Sequence, residues 1–268
     1  MKKTVLITGA TDGIGKQTAI DMANKDYHVI VHGRNTETVD QTIEEIKNNA
    51  EDASVDGFNA DFESLQEVSQ LADKLKEKYE KLDILINNAG VALNSREVTD
   101  DGFEKTFQIN YLAHFLLTNR ILDLIKNSDK GKIVNVTSMV HATAIDFNNL
   151  QGEQNFEGSE AYAISKLCNI LFTYKLAREF EEEKITANCL HPGVISTKLL
   201  KSHWGGTGGS VKEGAENIIY VATYEGIDQV TGKYFVNKMP QSSATVTYEN
   251  NKQNKLWDVS KNMVKQYL

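Results

Sequence analysis

Tyr162 and Lys166 are the two residues of this 268-residue chain whose types and spacing most directly predict chemistry. They lie four positions apart in residues 160–180, a stretch without Pro or Gly and with apolar residues at helical intervals, so we expect both side chains on one helix face. A nearby ammonium favours phenolate, and moving a phenol pKa from about 10 to about 7 takes roughly 4 kcal/mol. The pair predicts a general acid or base, although an ordinary amphipathic helix with a surface lysine has the same spacing.

The elements that must position this pair begin with a glycine-rich turn near the N-terminus. Residues 4–8 are a short run of apolar and β-branched residues, which predicts a strand, and residues 16–25 predict a helix. The segment between the two is Gly9-Ala10-Thr11-Asp12-Gly13-Ile14-Gly15. Glycine lets a backbone approach a pyrophosphate closely, and the free N–H groups of a helix N-terminus attract its charge. The spacing Gly-x-x-x-Gly-x-Gly departs from Gly-x-Gly-x-x-Gly, yet the order strand, turn, helix predicts a dinucleotide site.

Strand and helix signals alternate along the whole chain, which is typical of an α/β fold. Helical stretches, among them 64–79 and 103–127, separate seven candidate strands at residues 4–8, 28–32, 55–59, 84–87, 132–136, 186–191 and 233–236. We predict a single-domain Rossmann fold over residues 1–268, a doubly wound, seven-stranded parallel sheet with helices on both faces. Ligands of such sheets bind beyond the C-terminal ends of the strands, where the chemical motifs fall.

Further motifs, taken together with these two, resemble one enzyme family. In chain order they are Thr8-Gly9-x-x-x-Gly13-Ile14-Gly15, Asn87-Asn88-Ala89-Gly90, Asn110, Ser138, Tyr162-x-x-x-Lys166 and His191-Pro192-Gly193. This order resembles that of the short-chain dehydrogenases/reductases over residues 4–236. Within that family, residues 107–118, 149–153, 232–235 and 256–260 are similar to the retinol dehydrogenase branch. Similarity to this branch is weaker evidence for a substrate than the family motifs are for the type of reaction.

The resemblance implies a role for each of four catalytic residues. Hydride would pass between a nicotinamide and the carbon of a carbonyl or alcohol. Tyr162 would exchange a proton with the substrate oxygen, Ser138 would hydrogen-bond that oxygen, and Lys166 would lower the tyrosine pKa and bind the ribose. Asn110 would position a water linking the lysine to solvent. The residues alone leave two alternatives open, Thr137 in place of Ser138 and a purely packing role for Asn110.

Arg34, at the end of the second candidate strand, predicts the choice of cofactor. An acidic side chain there would bind the ribose 2′-hydroxyl of NAD, whereas arginine accommodates the 2′-phosphate of NADP. We therefore expect NADP(H) as the preferred cofactor and NAD(H) as the alternative. Asp12 moderates this expectation, because many NADP-preferring relatives carry a basic residue at its position. His191 is expected to be structural rather than catalytic.

The remaining cofactor contacts follow from position in the family. Residues 61–62 would contact the adenine of the cofactor. The backbone of residues 88–90 would form one side of the site, and residues 192–197 would bind the nicotinamide carboxamide and the pyrophosphate. The complete expected set is Gly9, Thr11, Asp12, Gly13, Ile14, Gly15, Arg34, Asn35, Asp61, Phe62, Asn88, Ala89, Gly90, Tyr162, Lys166, Pro192, Gly193, Val194, Ile195 and Thr197.

Two loops are expected to shape substrate entry. Residues 139–160 form a long insertion ahead of Tyr162, and residues 198–211 combine Trp204 with a glycine cluster that could cover an apolar substrate. A disordered surface loop is the alternative for the second segment. A tail at residues 237–268 follows the last strand. A lipophilic aldehyde, a retinoid-like polyene, a quinone and a steroid all fit such a site.

Composition narrows the class of partner. The net charge is −8, from 29 Lys plus Arg against 37 Asp plus Glu, which disfavours nucleic acid and anionic lipid. Cys168 and Cys189 lack metal-binding spacing, so we expect reduced core residues and no metal. The apolar run at residues 5–7 is too short for a leader or membrane anchor, so we expect a cytoplasmic protein.

Three functions from different classes compete at this stage. The leading one is an NADP(H)-dependent oxidoreductase that acts on a small-molecule carbonyl or alcohol, with lipophilic compounds favoured. A nucleotide-sugar epimerase or dehydratase would share the Tyr-x-x-x-Lys pair but would carry a larger C-terminal substrate domain. A non-catalytic NAD(P)-binding redox sensor would keep the glycine turn and have lost the Tyr, Ser or Lys. Relatives often pair through the helices at 103–127 and 160–180, so we also consider a homodimer or homotetramer.

Overall fold

One sheet of eight strands organises the protein, whose computed structural model describes residues 2–268. The strands are β1 Thr4–Ile7, β2 His28–Gly33, β3 Ser54–Asn59, β4 Ile84–Asn87, β5 Gly131–Val136, β6 Ile185–His191, β7 Tyr234–Val236 and β8 Met239–Gln241. Their order is β3-β2-β1-β4-β5-β6-β7-β8, with all neighbours parallel except β7 and β8. The order reverses direction between β1 and β4, which opens a crevice at their C-terminal ends.

Helices cover both faces of this sheet. They are α1 Gly13–Ala23, α2 Thr36–Asn49, α3 Leu65–Lys78, α4 Lys105–Phe107, α5 Ala113–Arg120, α6 Leu122–Lys126, α7 Gly158–Glu179, α8 Lys198–His203, α9 Val211–Thr223 and α10 Asn250–Val264. One apolar layer joins α1, α2 and α9 to the sheet, and the other joins α3, α5, α7 and α10. Because successive strand side chains alternate, Val5 and Ile7 of β1 enter the first layer and Leu6 enters the second.

The predicted doubly wound Rossmann fold is confirmed, but the predicted count of seven strands is wrong. The eighth strand, β8, pairs antiparallel with β7 through a two-residue turn at Asn237 and Lys238, whose φ angles are 49° and 64°. Such turns normally carry glycine, so this one left no clear signal in the sequence. Pro240 fits the edge position of β8, where its missing N–H breaks no ladder.

The helix predicted over residues 103–127 is also wrong in one respect, because it is interrupted. A π-helical turn at Gln108–Leu112 separates α4 from α5, and a break at Ile121 separates α5 from α6. Asn110 lies in the π turn, and its backbone oxygen accepts hydrogen bonds from His114 Nδ1 at 2.9 Å and Asn169 Nδ2 at 3.1 Å. Such turns often occur at functional sites because they redirect backbone groups.

The C-terminal helix α10 packs across α5 and α7. Its Trp257 ring lies edge-on to Phe115 at 5.1 Å between ring centroids and 6.0 Å from Phe172. Leu256 and Val264 of the same helix are fully buried. The face through which we expected subunits to pair is therefore covered by the protein's own tail.

Within residues 2–268, no helix has both the length and the apolar character needed to cross a bilayer.

Candidate active site

A cavity of about 640 Å³ lies at the C-terminal edge of the sheet. Residues from the glycine turn, from the ends of β2, β4, β5 and β6, and from α7 and α8 line it. It thereby brings together Tyr162, Lys166 and nearly all the cofactor-binding residues expected from the sequence. A more open groove of about 820 Å³ between α1 and α9 contains none of the predicted site residues, so we assign no chemistry to it.

The glycines of the first turn are required by its backbone geometry. Gly9 and Gly13 have φ angles of 62° and 53°, in the left-handed region that favours glycine. A Cβ atom at Gly9 would lie 2.8 Å from the Cα of Ala89, and one at Gly15 would overlap the carbonyl oxygen of Gly9. Asn88 Nδ2 closes the turn by donating to the carbonyl oxygens of Thr8 at 2.9 Å and Gly9 at 3.2 Å. The turn fits a phosphate-bearing ligand, which needs this close approach to backbone.

The N-terminus of α1 is the second feature that suits an anion. Asp12 precedes this helix, and its side chain makes no cap to it. Instead its carboxylate lies 2.8 Å from Lys198 Nζ, across the mouth of the cavity. Burial acts to raise the Asp12 pKa, but the hydrogen bonds from Lys198 and from the Gly13 backbone, together with the charges of Lys198 and Lys16, leave it below its usual value. The N–H groups of α1 beyond Gly13 are not capped by Asp12, so they and the helix dipole stay available to a pyrophosphate.

Two buried histidines hold the backbone of the cofactor side, a function that the sequence interpretation did not identify. His32 Nδ1 accepts from Gly9 N at 3.3 Å, which makes Nε2 the donor to Ala60 O at 3.1 Å. Thr8 Oγ1 donates to His114 Nε2 at 2.9 Å, because Nδ1 carries the ring proton, and it accepts from the backbone N–H groups of residues 88 and 89. Burial lowers the pKa of His32 to about 4 and that of His114 to about 3, so both rings are neutral.

Tyr162, Ser138 and Lys166 come together at the inner end of the cavity, as predicted. The Ser138 hydroxyl lies close enough to the Tyr162 phenol to act on its pKa, and Lys166 Nζ lies 5.5 Å from the phenol ring centroid. Lys166 is held by a 3.2 Å hydrogen bond to Val136 O at the end of β5. Thr137, the alternative to Ser138, donates its hydroxyl to Leu190 O at 3.0 Å, so it is engaged in the sheet.

The protonation of this trio differs from the expectation that the phenol pKa lies near neutrality. Burial raises the pKa of Tyr162 to about 12 despite the opposing influence of the Ser138 hydroxyl. Burial likewise lowers the pKa of Lys166 to about 8, and its ammonium is directed to Val136 O. Removal from water disfavours the charged form of each group and outweighs their mutual attraction. At neutral pH the phenol is therefore protonated, as a proton donor must be.

Asn110 lies beside this trio, but its side chain is fully occupied. Its Oδ1 accepts from Val91 N at 2.7 Å, and its Nδ2 donates to Val91 O at 2.9 Å and Ser165 Oγ at 3.0 Å. The side chain thus ties the segment after β4 to α7, which carries Tyr162. The packing role left open in the sequence is present, and the water-positioning role stays a prediction.

The end of β2 presents Arg34 to the cavity. Its side chain is 73% exposed and its nearest charged partner, Glu63, is 3.9 Å away, so the guanidinium is available to a ligand. Asp61 and Phe62 also line the cavity, and Phe62 stacks on His32 at 4.5 Å between ring centroids. Asn35 is the exception among the expected cofactor residues. It does not line the cavity, because its Oδ1 accepts from Thr38 N and caps α2.

The opposite side of the cavity is apolar and partly exposed. Trp204 lies edge-on to Tyr162, with 5.0 Å between ring centroids, and Met139, Val140 and Val194 at the same opening are about half exposed. The segment expected as a lid contains the short helix α8, capped by Thr197, whose hydroxyl accepts from Leu200 N at 3.3 Å. The predicted lid thus places α8 and Trp204 against the cavity, whereas its glycines at residues 205–209 do not line it.

Other cavity residues were not in the predicted set. They are His32, Gly33, Ala60, Val91, Ile109, Val136, Thr137, Met139, Val140, His191, Lys198, Leu199, Leu200 and Trp204. His191 ends β6 inside a motif that was recognised, and the residues of 139–140 and 198–204 belong to the two loops that were expected to shape substrate entry. Most of the others lie next to predicted contacts in the sequence, whereas Ile109 is brought to the cavity by the π turn.

Comparison with known proteins agrees with this geometry. A profile of the short chain dehydrogenase family matches residues 3–206. Human retinol dehydrogenase 13 is 35% identical over 280 aligned residues, covering 98% of this chain and 84% of its own. Human polyprenol dehydrogenase is 36% identical over 276 residues, covering 96% and 84%.

Solved structures show the same fold. An uncharacterised protein of Mycobacterium paratuberculosis superimposes with a TM-score of 0.82 at 27% identity, covering 98% of this chain and 93% of its own. A structure described as a short chain dehydrogenase of Escherichia coli CFT073 complexed with NADPH gives 0.73 at 26% identity, covering 88% and 97%. The chain therefore belongs to the short-chain dehydrogenase/reductase family of oxidoreductases and resembles its retinol dehydrogenase branch.

Proposed function

We propose that this protein is an NADP(H)-dependent oxidoreductase that interconverts a lipophilic carbonyl compound and its alcohol. The observation that carries the proposal is the convergence of Tyr162, Ser138 and Lys166 on one cavity whose other side is a glycine turn. When bound, the cofactor would supply or accept the hydride. The chain's own task is then to bind the substrate oxygen and move its proton.

Tyr162 is the proton donor in the direction of carbonyl reduction. Its phenol is protonated at neutral pH because burial raises its pKa to about 12. Ser138 lines the same cavity beside that phenol, so a carbonyl oxygen bound between the two hydroxyls would receive two hydrogen bonds where negative charge develops. Lys166, with a pKa of about 8, is mostly protonated at pH 7 and adds a positive charge near the same oxygen. In the oxidative direction Tyr162 must first lose its proton, so alcohol oxidation should accelerate as pH rises.

The preference for NADP(H) is supported by the exposed Arg34 guanidinium at the end of β2. A guanidinium at this strand end would bind a 2′-phosphate through two parallel hydrogen bonds. The relative solved with NADPH shares the fold and agrees with this choice. Asp12 opposes it only weakly, since Lys198 neutralises its carboxylate at 2.8 Å.

A lipophilic substrate is supported by the apolar side of the cavity. Trp204, Met139, Val140 and Val194 would cover hydrocarbon but offer little to a sugar or a charged acid. The named relatives act on retinol and polyprenol, which are both long isoprenoid alcohols. We therefore favour an extended apolar aldehyde or alcohol.

The position of α10 supports a proposal about the oligomeric state. Trp257 occupies the face of α5 and α7 through which we considered a homodimer or homotetramer. We propose that this face does not form a subunit interface. Light scattering should give a mass near 29.9 kDa, or a multiple that persists in a Trp257→Ala variant. A multiple that dissociates in Trp257→Ala would support pairing through that face instead.

The function is tested by following consumption of NADPH and, separately, NADH by the purified protein. The substrates span short aldehydes, retinal, a long-chain enal, quinones and ketosteroids. We expect NADPH turnover that rises with the apolar length of the aldehyde. If both cofactors bind and no carbonyl is reduced or formed, the proposal is wrong and a cofactor-binding sensor is the better interpretation.

A further inference from the structure

We infer that His141 is a positioning residue for Ser138, and that through it the C-terminal strap, residues 243–248, becomes part of the active-site support. This inference rests on the proposed function, because the role of Ser138 belongs to that proposal. Neither the family motifs nor the expected catalytic set includes His141 or the strap.

Both ring nitrogens of His141 are hydrogen-bonded, and one tautomer satisfies both bonds. Nδ1 lies 2.8 Å from the backbone oxygen of Ser138, and Nε2 lies 3.1 Å from the backbone nitrogen of Ala244. Because the Ala244 N–H can only donate, Nε2 is the acceptor. The ring proton therefore sits on Nδ1 and is donated to Ser138 O.

The peptide that follows Ser138 is consequently fixed from several sides. Tyr234 donates its hydroxyl to the same Ser138 oxygen at 3.3 Å, and its ring lies edge-on to His141 at 5.4 Å between centroids. Val140 N donates to Ser138 Oγ at 3.0 Å. Rotation of this peptide would carry Oγ away from Tyr162, and a displacement of about 1 Å in an active site can cost on the order of 100-fold in rate.

The strap is anchored to the helix that carries Tyr162. Ser243 Oγ lies 2.8 Å from the Tyr174 hydroxyl on α7 and 2.7 Å from Thr247 Oγ1, and Thr247 is fully buried. Gln253 Nε2 of α10 donates to Thr247 O at 2.7 Å. The strap thus connects α7 to the Ser138 backbone through His141, so the relative placement of Ser138 and Tyr162 depends on a segment about a hundred residues downstream.

Two conservative variants each keep one hydrogen bond of His141 and remove the other. In His141→Asn the amide nitrogen takes the place of Nδ1 and still donates to Ser138 O, but nothing reaches Ala244. In His141→Gln the side-chain oxygen takes the place of Nε2 and still accepts from Ala244 N, but Ser138 O loses the hydrogen bond from residue 141 and keeps only the one from Tyr234. His141→Phe removes both bonds. Matched substitutions at His28, a half-buried residue of β2 that bonds Ser54 and Tyr79, control for the loss of an internal histidine.

The first readout is steady-state kinetics. We expect kcat to fall several-fold in His141→Asn, about tenfold or more in His141→Gln and most in His141→Phe, with KM and the NADPH Kd within about twofold of the wild type. The His28 variants should keep wild-type kcat. A loss of kcat that is equal in all three His141 variants, or that simply follows their thermal stability, would show a merely structural role.

The second readout does not depend on turnover. Hydrogen exchange of the Ala244 amide should be slow in the wild type and in His141→Gln and fast in His141→Asn and His141→Phe. Equal exchange in all four proteins would overturn the link to the strap. Wild-type turnover with unaffected His141 variants would refute this inference alone, whereas a wild type that reduces no carbonyl would refute the proposed function and this inference with it.

Discussion

The two sides of the cavity differ in what builds them. The cofactor side, residues 9–15, 32–34, 60–62 and 88–90, is mostly backbone, shaped by glycines and by buried histidines that bond main-chain atoms. The substrate side, residues 138–140, 198–200 and 204, presents side chains from a loop and from the short helix α8, several of them exposed and apolar. A backbone cradle requires particular residues close together in sequence, whereas a side-chain wall can be assembled from distant segments. The cofactor side can therefore be predicted from a sequence motif, whereas the substrate side cannot.

The largest loss of catalytic activity should come from Tyr162→Phe, at the boundary between the two sides of the cavity. Loss of the phenol hydroxyl removes the proton donor, so kcat should fall by about 10³-fold, while the Kd for NADPH stays nearly unchanged. Steady-state kinetics and cofactor titration measure both quantities. Tyr220→Phe on α9 is the matched control and should keep full activity. Turnover within tenfold of the wild type in Tyr162→Phe would remove the tyrosine from the mechanism.

The next effect should come from Gly15→Ala on the cofactor side. The added Cβ would overlap Gly9 O, so the turn must open and the NADPH Kd should rise by about 100-fold or more. Gly206→Ala is the control, because a Cβ there meets no atom within 4 Å. Fluorescence titration of NADPH distinguishes the two. Unchanged affinity in Gly15→Ala would show that the dinucleotide does not depend on this backbone.

A smaller and more selective effect is expected for Arg34→Ala. Removing a charged hydrogen-bond donor of the 2′-phosphate should raise the NADPH Kd by about 10- to 100-fold and leave the NADH Kd within about twofold. Arg178→Ala, at the far end of α7 and bonded to Asn254, is the control. An equal rise in the Kd of NADPH and of NADH would mean that Arg34 does not bind the 2′-phosphate.

The smallest effect is one of stability, and it concerns Lys166→Met. The folded pKa of Lys166 is about 8 against a usual 10.5, so the native state is penalised below pH 8 and recovers stability as pH rises from 8 to 10.5. The variant lacks this penalty and also loses the bond to Val136 O. We expect it to be more stable than the wild type at pH 7 by about 1–3 kcal/mol, with the gap closing toward pH 10.5. Urea unfolding at both pH values measures this, and a less stable variant at pH 7 would contradict the burial argument.

The same contrast explains how far sequence reasoning reached. The strand ends, the glycine turn and the helical Tyr-x-x-x-Lys pair follow from local spacing, and the structure brings them to one cavity as expected. The π turn at Asn110, strand β8 and helix α8 depend on tertiary contacts, so local pattern did not predict them. Asn35 shows the opposite failure, since a motif position placed it in the site while its side chain caps α2. The role that we propose for His141 could not be predicted from local sequence, because its partner Ala244 lies about a hundred residues downstream and is brought to it only by folding.

The most direct test of the central claim is the fate of the transferred hydrogen. Purified protein is incubated with a long-chain enal and NADPH carrying deuterium at the transferable C4 position, and the alcohol is examined by mass spectrometry. We predict one deuterium on the carbinol carbon with the wild type and no labelled product above background with Tyr162→Phe. Alcohol without deuterium, or equal labelled product from both proteins, would contradict hydride transfer assisted by Tyr162.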